Sequence, residues 1–532
     1  MKVKNDLRLA RADYPEQVGV SSAKIEEMIK DFKDSGIELH SLMLIRGGKV
    51  AFESWAEPYS PEIPHMVYSV SKSFTSAAVG FAVEEGLLSV DTKVIDIFPE
   101  YRNPKDKNLE KLSVHHLLSM QSGKSVSVFS DKSKNRWLED FINAPWGFAP
   151  GDGHWEYISE NQYVLCAMLK KVTGMSVTEY LTPRLFEPLG IDVPFWEHDI
   201  NGIEAGGWGL FLKTEDIAKF MLCLHHNGVY AGRQVIPENW VRLATKVQAD
   251  NSVKNSGPDG QCGYGYCFWR CGGVNGYRAD GMFSQFGIVA QDYDALLIMN
   301  AGEIDEEKSR SCIWRHFPDC LIEPDSEPTP EKKPAIAPLD DNLPAILRSS
   351  IEKEINGRVI KFKKNLLLNT VGFPVSILPF PVVYMSGYRA GNITDVSFSF
   401  GADTCTFKWT EGDENNTIVC GLDGVPRKSP MTLARMNFTA SATAAWISAT
   451  ELELHIRPIE SVCQRIIRFR FNGKNVTFIP SSKQPLKAMS DNIAKDLSNF
   501  LPDVPPVQTA GHAVFDVLPK LVDCPHHGRF VK

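Results

Sequence analysis

Apolar residues in the first 320 positions change their spacing several times along the chain. From Ser21/Ser22 to about Phe32 they recur at helical spacing and predict an amphipathic helix. Two short apolar runs follow in SLMLIRGGKVAFESW (41–55), and the Gly47-Gly48 pair between them predicts a β-hairpin. A long helical region comes next. Strand-like runs return at YGYCFW (264–269), QFGIVA (285–290) and ALLIMNA (295–301), and a helix is expected over Asp305 to Phe317. Strands at both ends with helices between them imply an α+β unit: one antiparallel sheet built from distant segments beside a mostly helical subdomain. Beyond about residue 345 the period drops to two. Leu452, Leu454 and Ile456 alternate with Glu453, His455 and Arg457, and Ile467, Phe469 and Phe471 alternate with Arg468 and Arg470 before an Asn472-Gly473 turn. That pattern predicts half-buried antiparallel β-structure.

Between these regions IEPDSEPTPEKKPAIAPLDDNLP (322–344) carries six prolines among charges, which suits an extended linker. The expected organisation is a first domain over 1–321, a linker over 322–344 and a β-rich accessory domain over 345–532. The 532 residues agree with more than one core at about 150 residues per domain. Lys+Arg number 57 against 65 Asp+Glu, so a net charge of −8 spread over this length gives no footprint for nucleic acid. The first twenty residues hold no apolar h-region, and eleven cysteines are too sparse for a disulfide scaffold, which together predict a cytoplasmic protein with reduced thiols. One uncharged stretch, Asn365 to Tyr388, is long enough to span a bilayer, but Pro374, Pro379 and Pro381 oppose a helix there. It is expected to be a buried strand or domain-interface segment, with no membrane span.

The GxSxG, GxxxxGK[ST] and HExxH patterns do not occur. The histidine pairs 115/116, 225/226 and 526/527 are adjacent, so their side chains should diverge on a helix, and Cys262, Cys267 and Cys271 lack a second ligand pair. No metal and no cofactor are expected. Ser-x-x-Lys occurs at Ser21-Lys24, Ser69-Lys72 and Ser350-Lys353. In a helix this spacing puts an amine on the same face as a hydroxyl, where it can act on the hydroxyl proton. Only Ser69-Lys72 opens a strongly apolar helix, in which Phe74, Ala77, Ala78, Phe81 and Ala82 form one stripe before Gly86. Ser21 reads as an N-cap, and Ser350 sits in a charged stretch.

YSVSKSFTSAAVGFAVEEGLLSVDTKV (68–94) and LSVHHLLSMQSG (112–123) resemble the serine beta-lactamase-related hydrolases. That group includes class C beta-lactamases, family VIII esterases, D-alanyl-D-alanine carboxypeptidases and 6-aminohexanoate-dimer hydrolases. The resemblance continues through PGDGHWEYISENQYVL (150–165), YLTPRLFEPLGI (180–191), 206–241 and YRADGMFSQFGIVA (277–290), covering about residues 15–320. It implies a beta-lactamase/transpeptidase-like fold with Ser69 as acylated nucleophile and Lys72 as its partner. Tyr157 would be the general base, its pKa lowered by a nearby lysine ammonium, and Ser159 a hydrogen-bond donor. Where the lactamases carry Lys-Thr-Gly or His-x-Gly, this chain has Ala279-Asp280-Gly281. The cation that would meet a penicillin carboxylate is missing, and Arg278 should face away from Ala279. Gly281 still permits close approach, and the Met282 N–H would supply an oxyanion donor beside that of Ser69.

Trp146, Phe148, Trp155, Trp208 and Phe283 are candidates for an aromatic cleft. The expected activity is hydrolysis of a small ester, amide or peptide-like substrate through an acyl-enzyme. The alternative is a penicillin-recognising binding or sensor protein that is acylated with little turnover. The β-rich domain is expected to gate the cleft or to mediate homo-oligomer assembly.

Overall fold

The computed structural model describes residues 7–124, 136–252, 257–324, 334–340, 343, 348–363, 377, 393–483 and 523–531. Two compact units divide the chain, Met1–Ala337 and Pro338–Lys532. Of the uncharged 365–388 segment only Ile377 belongs to the described residues, and most of 322–344 also lies outside them. Among the described residues no helix is long and apolar enough to cross a membrane.

In chain order the first unit contains β1 (Ala10–Arg11), α1 (Ser22–Asp34), β2 (Leu39–Arg46), β3 (Lys49–Trp55), β4 (His65–Met66), α2 (Ser71–Glu84), α3 (Glu160–Thr173), β5 (Phe211–Leu212), α4 (Thr214–His225), α5 (Glu238–Thr245), β6 (Trp269–Arg270), β7 (Gly276–Gly281), β8 (Gln285–Ala290), β9 (Ala295–Ala301) and α6 (Glu306–His316). One sheet runs β1-β3-β2-β9-β8-β7-β6. It is antiparallel throughout except at its β1 edge. The expected hairpin forms with Gly47 and Gly48 both at positive φ, 57° and 71°, the backbone a two-residue turn requires.

Register decides which face each residue serves. Leu42 lies opposite Met299, and Phe286 pairs with both Met299 and Asp280. Leu42, Leu44, Phe286, Ile288, Leu297 and Met299 therefore share a face and pack on Ile25, Met28 and Phe32 of α1 and Cys312 and Ile313 of α6. The intervening positions, among them Met43, Ala279, Val289 and Ile298, join Phe74 and Ala78 of α2 and Phe220 and Met221 of α4 in a second core. Ser21 caps α1 by accepting from the Lys24 N–H. Lys24 Nζ itself donates to the Asp319 carbonyl 2.7 Å away.

The sequence departs from the structure in two places. YGYCFW is a tight loop, not a strand, until Trp269: the Gly265 N–H donates to Phe268 O, and Cys267 has φ 67°. A Cβ at Gly265 would fall 2.2 Å from the Ala244 carbonyl oxygen, so packing overrides the β-propensity of the aromatic residues. Second, α2 has no solvent face, since every residue from Ser71 to Ala82 is buried. Its polar Ser71, Lys72 and Thr75 make the specific bonds described below, and the Ser73 hydroxyl donates to the Cys267 carbonyl 2.8 Å away.

The second unit is a ten-stranded sheet. Its strands are β10 (Val359–Phe362), β11 (Ile393–Phe400), β12 (Thr404–Glu411), β13 (Glu414–Gly421), β14 (Arg427–Leu433), β15 (Met436–Ser448), β16 (Glu451–Pro458), β17 (Arg465–Asn472), β18 (Asn475–Ser482) and β19 (His526–Phe530). They follow the order β13-β12-β11-β10-β19-β18-β17-β16-β15-β14, and a further pairing of Gly421 with Thr443 joins β13 to β15, closing a barrel. Closure removes free edges from the sheet. Phe398, Phe407, Phe469, Phe471 and Phe478 fill its core. Ser350 and Lys353 are exposed here, beside a one-turn helix at Glu352–Ile355.

Gly80 lets α2 pack closely on α5, as a Cβ there would lie 2.3 Å from the Trp240 ring. Gly80→Ala is expected to cost about 1–3 kcal/mol by overpacking, read as a lowered urea midpoint. An unchanged midpoint would mean that α5 can withdraw freely.

Candidate active site

The segment carrying Ser69 is held on both sides. β4 pairs with β5, and the Val67 N–H donates to the Leu210 carbonyl 2.9 Å away. Tyr68 then takes φ 46°, an uncommon value for a bulky residue, and its ring packs on Phe283 at 5.0 Å between centroids. The Ser71 hydroxyl donates to Tyr68 O and accepts from the Leu210 N–H. This turn, Tyr68–Val70, leads directly into α2 and leaves Ser69 partly exposed at the helix start.

At the second position of α2, Lys72 is 1% exposed and its Nζ has three oxygen neighbours. They are Ser69 Oγ at 2.7 Å, Ser159 Oγ at 3.1 Å and the Gly207 carbonyl at 2.8 Å. Burial pushes this amine down to about 7, opposed only in part by Cys267, Glu160 and Asp280. Its Nζ lies 4.7 Å from the centroid of the Tyr157 ring.

Ser159 reaches the amine because it directly precedes α3, and Gly207 because two glycines let the chain pass close to that helix. A Cβ on Gly207 would fall 2.4 Å from Ser159 O, and Gly206 has φ 69°. The Thr75 hydroxyl donates to Gly206 O and fixes the same loop to α2. The sequence offered a signal for Gly207, the Gly206-Gly207 pair inside a helical region, but nothing in it points to a carbonyl as a lysine acceptor.

The Tyr157 hydroxyl hydrogen-bonds Ser69, yet burial pushes it well above the ordinary phenol value, with Asp280 and Cys267 adding to the rise. This reverses the expected electrostatics. A phenolate beside an ammonium would put two charges in a dry site, and desolvation favours the neutral pair instead. Tyr157 belongs to an aromatic wall with Trp155, Tyr264 and Trp269, whose centroids lie 5.1 to 6.2 Å apart. Of the five aromatic candidates only Trp155 is part of it. Trp208 is core against Trp137, Phe283 packs on Tyr68, Phe148 on His154, and Trp146 covers Lys124 at 3.6 Å. Tyr264 and Trp269 were hidden in the sequence by the strand-like look of their run.

Gly281 ends β7 against this centre. A Cβ there would fall 2.4 Å from Val67 O and 3.3 Å from the Ser69 nitrogen. Met282 opens the turn to β8, in which Phe283 and Ser284 have φ 65° and 69°. Ala279 is fully buried and faces the α2 core. On the opposite face Arg278 pairs with Asp259 at 2.8 Å and Asp280 at 2.7 Å, while Arg310 pairs with Asp280 at 3.3 Å and Glu307 at 3.0 Å. Both guanidinium groups are thus neutralised within the fold.

His225, His226 and Asp294 come together at the end of α4, with candidate ligand atoms within 4.8 Å of one another. The adjacency argument missed this because His226 has left the helix and Asp294 comes from the β8–β9 turn. Cys262, Cys267 and Cys271 form no such group among the described residues.

Residues 25–301, just over half of the chain, match the beta-lactamase family model. The chain belongs to the beta-lactamase family, and its first unit has the beta-lactamase/transpeptidase-like fold. The 6-aminohexanoate-dimer hydrolase of Paenarthrobacter ureafaciens is 23% identical over 259 residues, covering 44% of this chain and 65% of that protein. Protein flp of Staphylococcus aureus is 27% identical over 211 residues, 35% of this chain and 42% of that protein. The chain thus spans less than two thirds of the length of these curated relatives. Among solved structures, a penicillin-binding protein homologue from Caulobacter crescentus shares 16% identity at a TM-score of 0.47, covering 57% of this chain and 97% of its own. A family VIII carboxylesterase shares 15% at 0.47, covering 59% and 99%.

Gly281→Ala is expected to push β7 away from Ser69 and to slow the reaction of Ser69 with an electrophilic probe by about a hundredfold, with unchanged far-UV circular dichroism. Labelling of Ser69 by a fluorophosphonate measures this, and an unaltered rate would show that the strand end does not shape the site.

Proposed function

We propose that the chain is a serine hydrolase that cleaves ester or amide bonds through an acyl-enzyme on Ser69. The observation that carries this reading is the hydrogen-bond geometry around Lys72. A neutral amine has two N–H donors and one lone pair. The Gly207 carbonyl can only accept, and Ser159 Oγ can accept, so the lone pair is left for Ser69 O–H at 2.7 Å. An amine pushed down to about 7 is available in this form at neutral pH. Lys72 then takes the proton as Ser69 Oγ attacks the carbonyl carbon, and the protonated Tyr157 passes a proton to the leaving group. The Ser69 and Met282 N–H groups are assigned to the oxyanion. The Lys72 ammonium then hands its proton to the Tyr157 phenolate, and the freed amine takes a proton from the attacking water and returns it to Ser69 Oγ as the acyl group leaves.

The substrate favoured here is a small uncharged ester or amide with an apolar group against Trp155, Tyr264 and Trp269. A penicillin carboxylate lacks its counter-cation, since Ala279 is buried and Arg278 and Arg310 are committed to Asp259, Asp280 and Glu307. The name of one relative, a 6-aminohexanoate-dimer hydrolase, agrees with this ranking.

Acylation by a p-nitrophenyl ester should rise with pH through about 7, because Lys72 must lose its proton to act and is silent below that value. Glu156, buried and also pushed up to about 7, titrates in the same range, so Glu156→Gln must leave the rising limb in place. Lys72→Arg, which cannot deprotonate, should lose about a thousandfold or more, and Ser69→Ala all turnover above background. A flat pH profile, or turnover persisting in Ser69→Ala, would overturn the assignment. A burst without turnover would leave Ser69 as nucleophile and mark the protein as an acylated sensor.

A further inference from the structure

A cavity of about 240 Å³ opens beside the far end of the β7–β8 ladder, lined among others by His225, Arg242, Lys246, Arg270, Tyr277 and Gln291. Tyr277 lies four residues from Gly281 along β7, about 13 Å of extended strand, which separates this cavity from Ser69. Its charge is one-sided. Arg242, Lys246 and Arg270 line it, and no carboxylate does.

These cations are poorly compensated. Arg270 donates to the Thr245 carbonyl at 3.2 Å and to Asn275 Oδ1 at 3.2 Å, both neutral acceptors. Arg242 holds Asn239 Oδ1 at 2.7 Å and meets Glu238 only at 3.8 Å. Lys246 has no ion pair among the described residues. The nearby acids are engaged elsewhere, Asp292 with Asn275 and Asp294 with His225, whose Nε2 is 2.7 Å from the carboxylate. This contrasts with Arg278 and Arg310, where the fold supplies a carboxylate for each guanidinium. Three like charges converging on one concavity repel one another, and a bound anion relieves that repulsion. The carboxamides of Asn227 and Gln291 add neutral donors to the same wall.

We propose that this cavity is a phosphate-group binding site, distinct from the Ser69 centre, with Arg242, Lys246 and Arg270 as its cationic ligands. The volume admits a phosphate with a small organic substituent, and the guanidinium forks of Arg242 and Arg270 suit tetrahedral oxyanions. Arg270 follows Trp269 of the aromatic wall, so the site shares β6 with the catalytic centre without sharing a residue.

The test is isothermal titration of the full chain with inorganic phosphate and, separately, with phenyl phosphate, at ionic strength matched by chloride. One-to-one saturable binding in the millimolar range or tighter is expected. Binding of both probes would mark the phosphoryl end of a larger molecule as the ligand, and binding of inorganic phosphate alone a free oxyanion. Arg242→Gln and Lys246→Gln alter exposed side chains, so each variant should keep wild-type melting in the absence of phosphate while losing about tenfold in affinity. Failure of both probes to saturate, or variants that bind as tightly as the wild type, would overturn the proposal.

Discussion

The burial of one amine organises the catalytic unit. Lys72 sits inside α2 with no carboxylate hydrogen-bonded to it, and such a group is tolerated in a protein interior only when its polar hydrogens are satisfied and its charge can be given up. Three segments far apart in the chain meet that demand: the turn at Ser69, the start of α3 at Ser159 and the glycine loop at Gly207. Two of them are fixed by other bonds, the turn by Val67 to Leu210 and Ser71 to Tyr68, and the loop by Thr75 to Gly206. The cost of hiding the amine is offset by these contacts, which hold it 2.7 Å from the Ser69 hydroxyl.

Close backbone approach is the second constraint. Gly281 lets the end of β7 meet Val67 and Ser69, and Gly207 lets the loop reach α3. A side chain at either position would separate elements whose spacing sets the site. The strained Tyr68, held by Phe283 from the β7–β8 turn, belongs to the same arrangement. Tyr157 completes it: in a wall of four aromatic rings burial holds the phenol well above its ordinary value, so it keeps its proton.

Much of this was legible in the residues. The hairpin at Gly47-Gly48, the strands 285–290 and 295–301, the α1 cap at Ser21 and the alternation of the C-terminal strands follow from local spacing, because each is decided by neighbours within a few positions. The motif blocks placed Ser69, Lys72, Tyr157, Ser159 and Gly281 around one centre, and the structure brings these five together. Long-range packing was not legible. The 264–269 run has strand composition but is turned by contact with Ala244, and this hid Tyr264 and Trp269. The direction of the Tyr157 shift depends on burial, which a sequence motif does not encode. His225, His226 and Asp294 converge because a helix ends where a turn from another part of the sheet arrives.

The central claim is that, of three Ser-x-x-Lys pairs, only the one with a buried lysine makes a nucleophile. Peptide mass mapping after reaction with a fluorophosphonate tests it most directly, since Ser21, Ser69 and Ser350 fall on separate tryptic peptides. The account predicts a single adduct, on Ser69 within the peptide that ends at Lys72. An adduct on Ser21 or Ser350, or none on Ser69 under conditions where the protein remains folded, would contradict it.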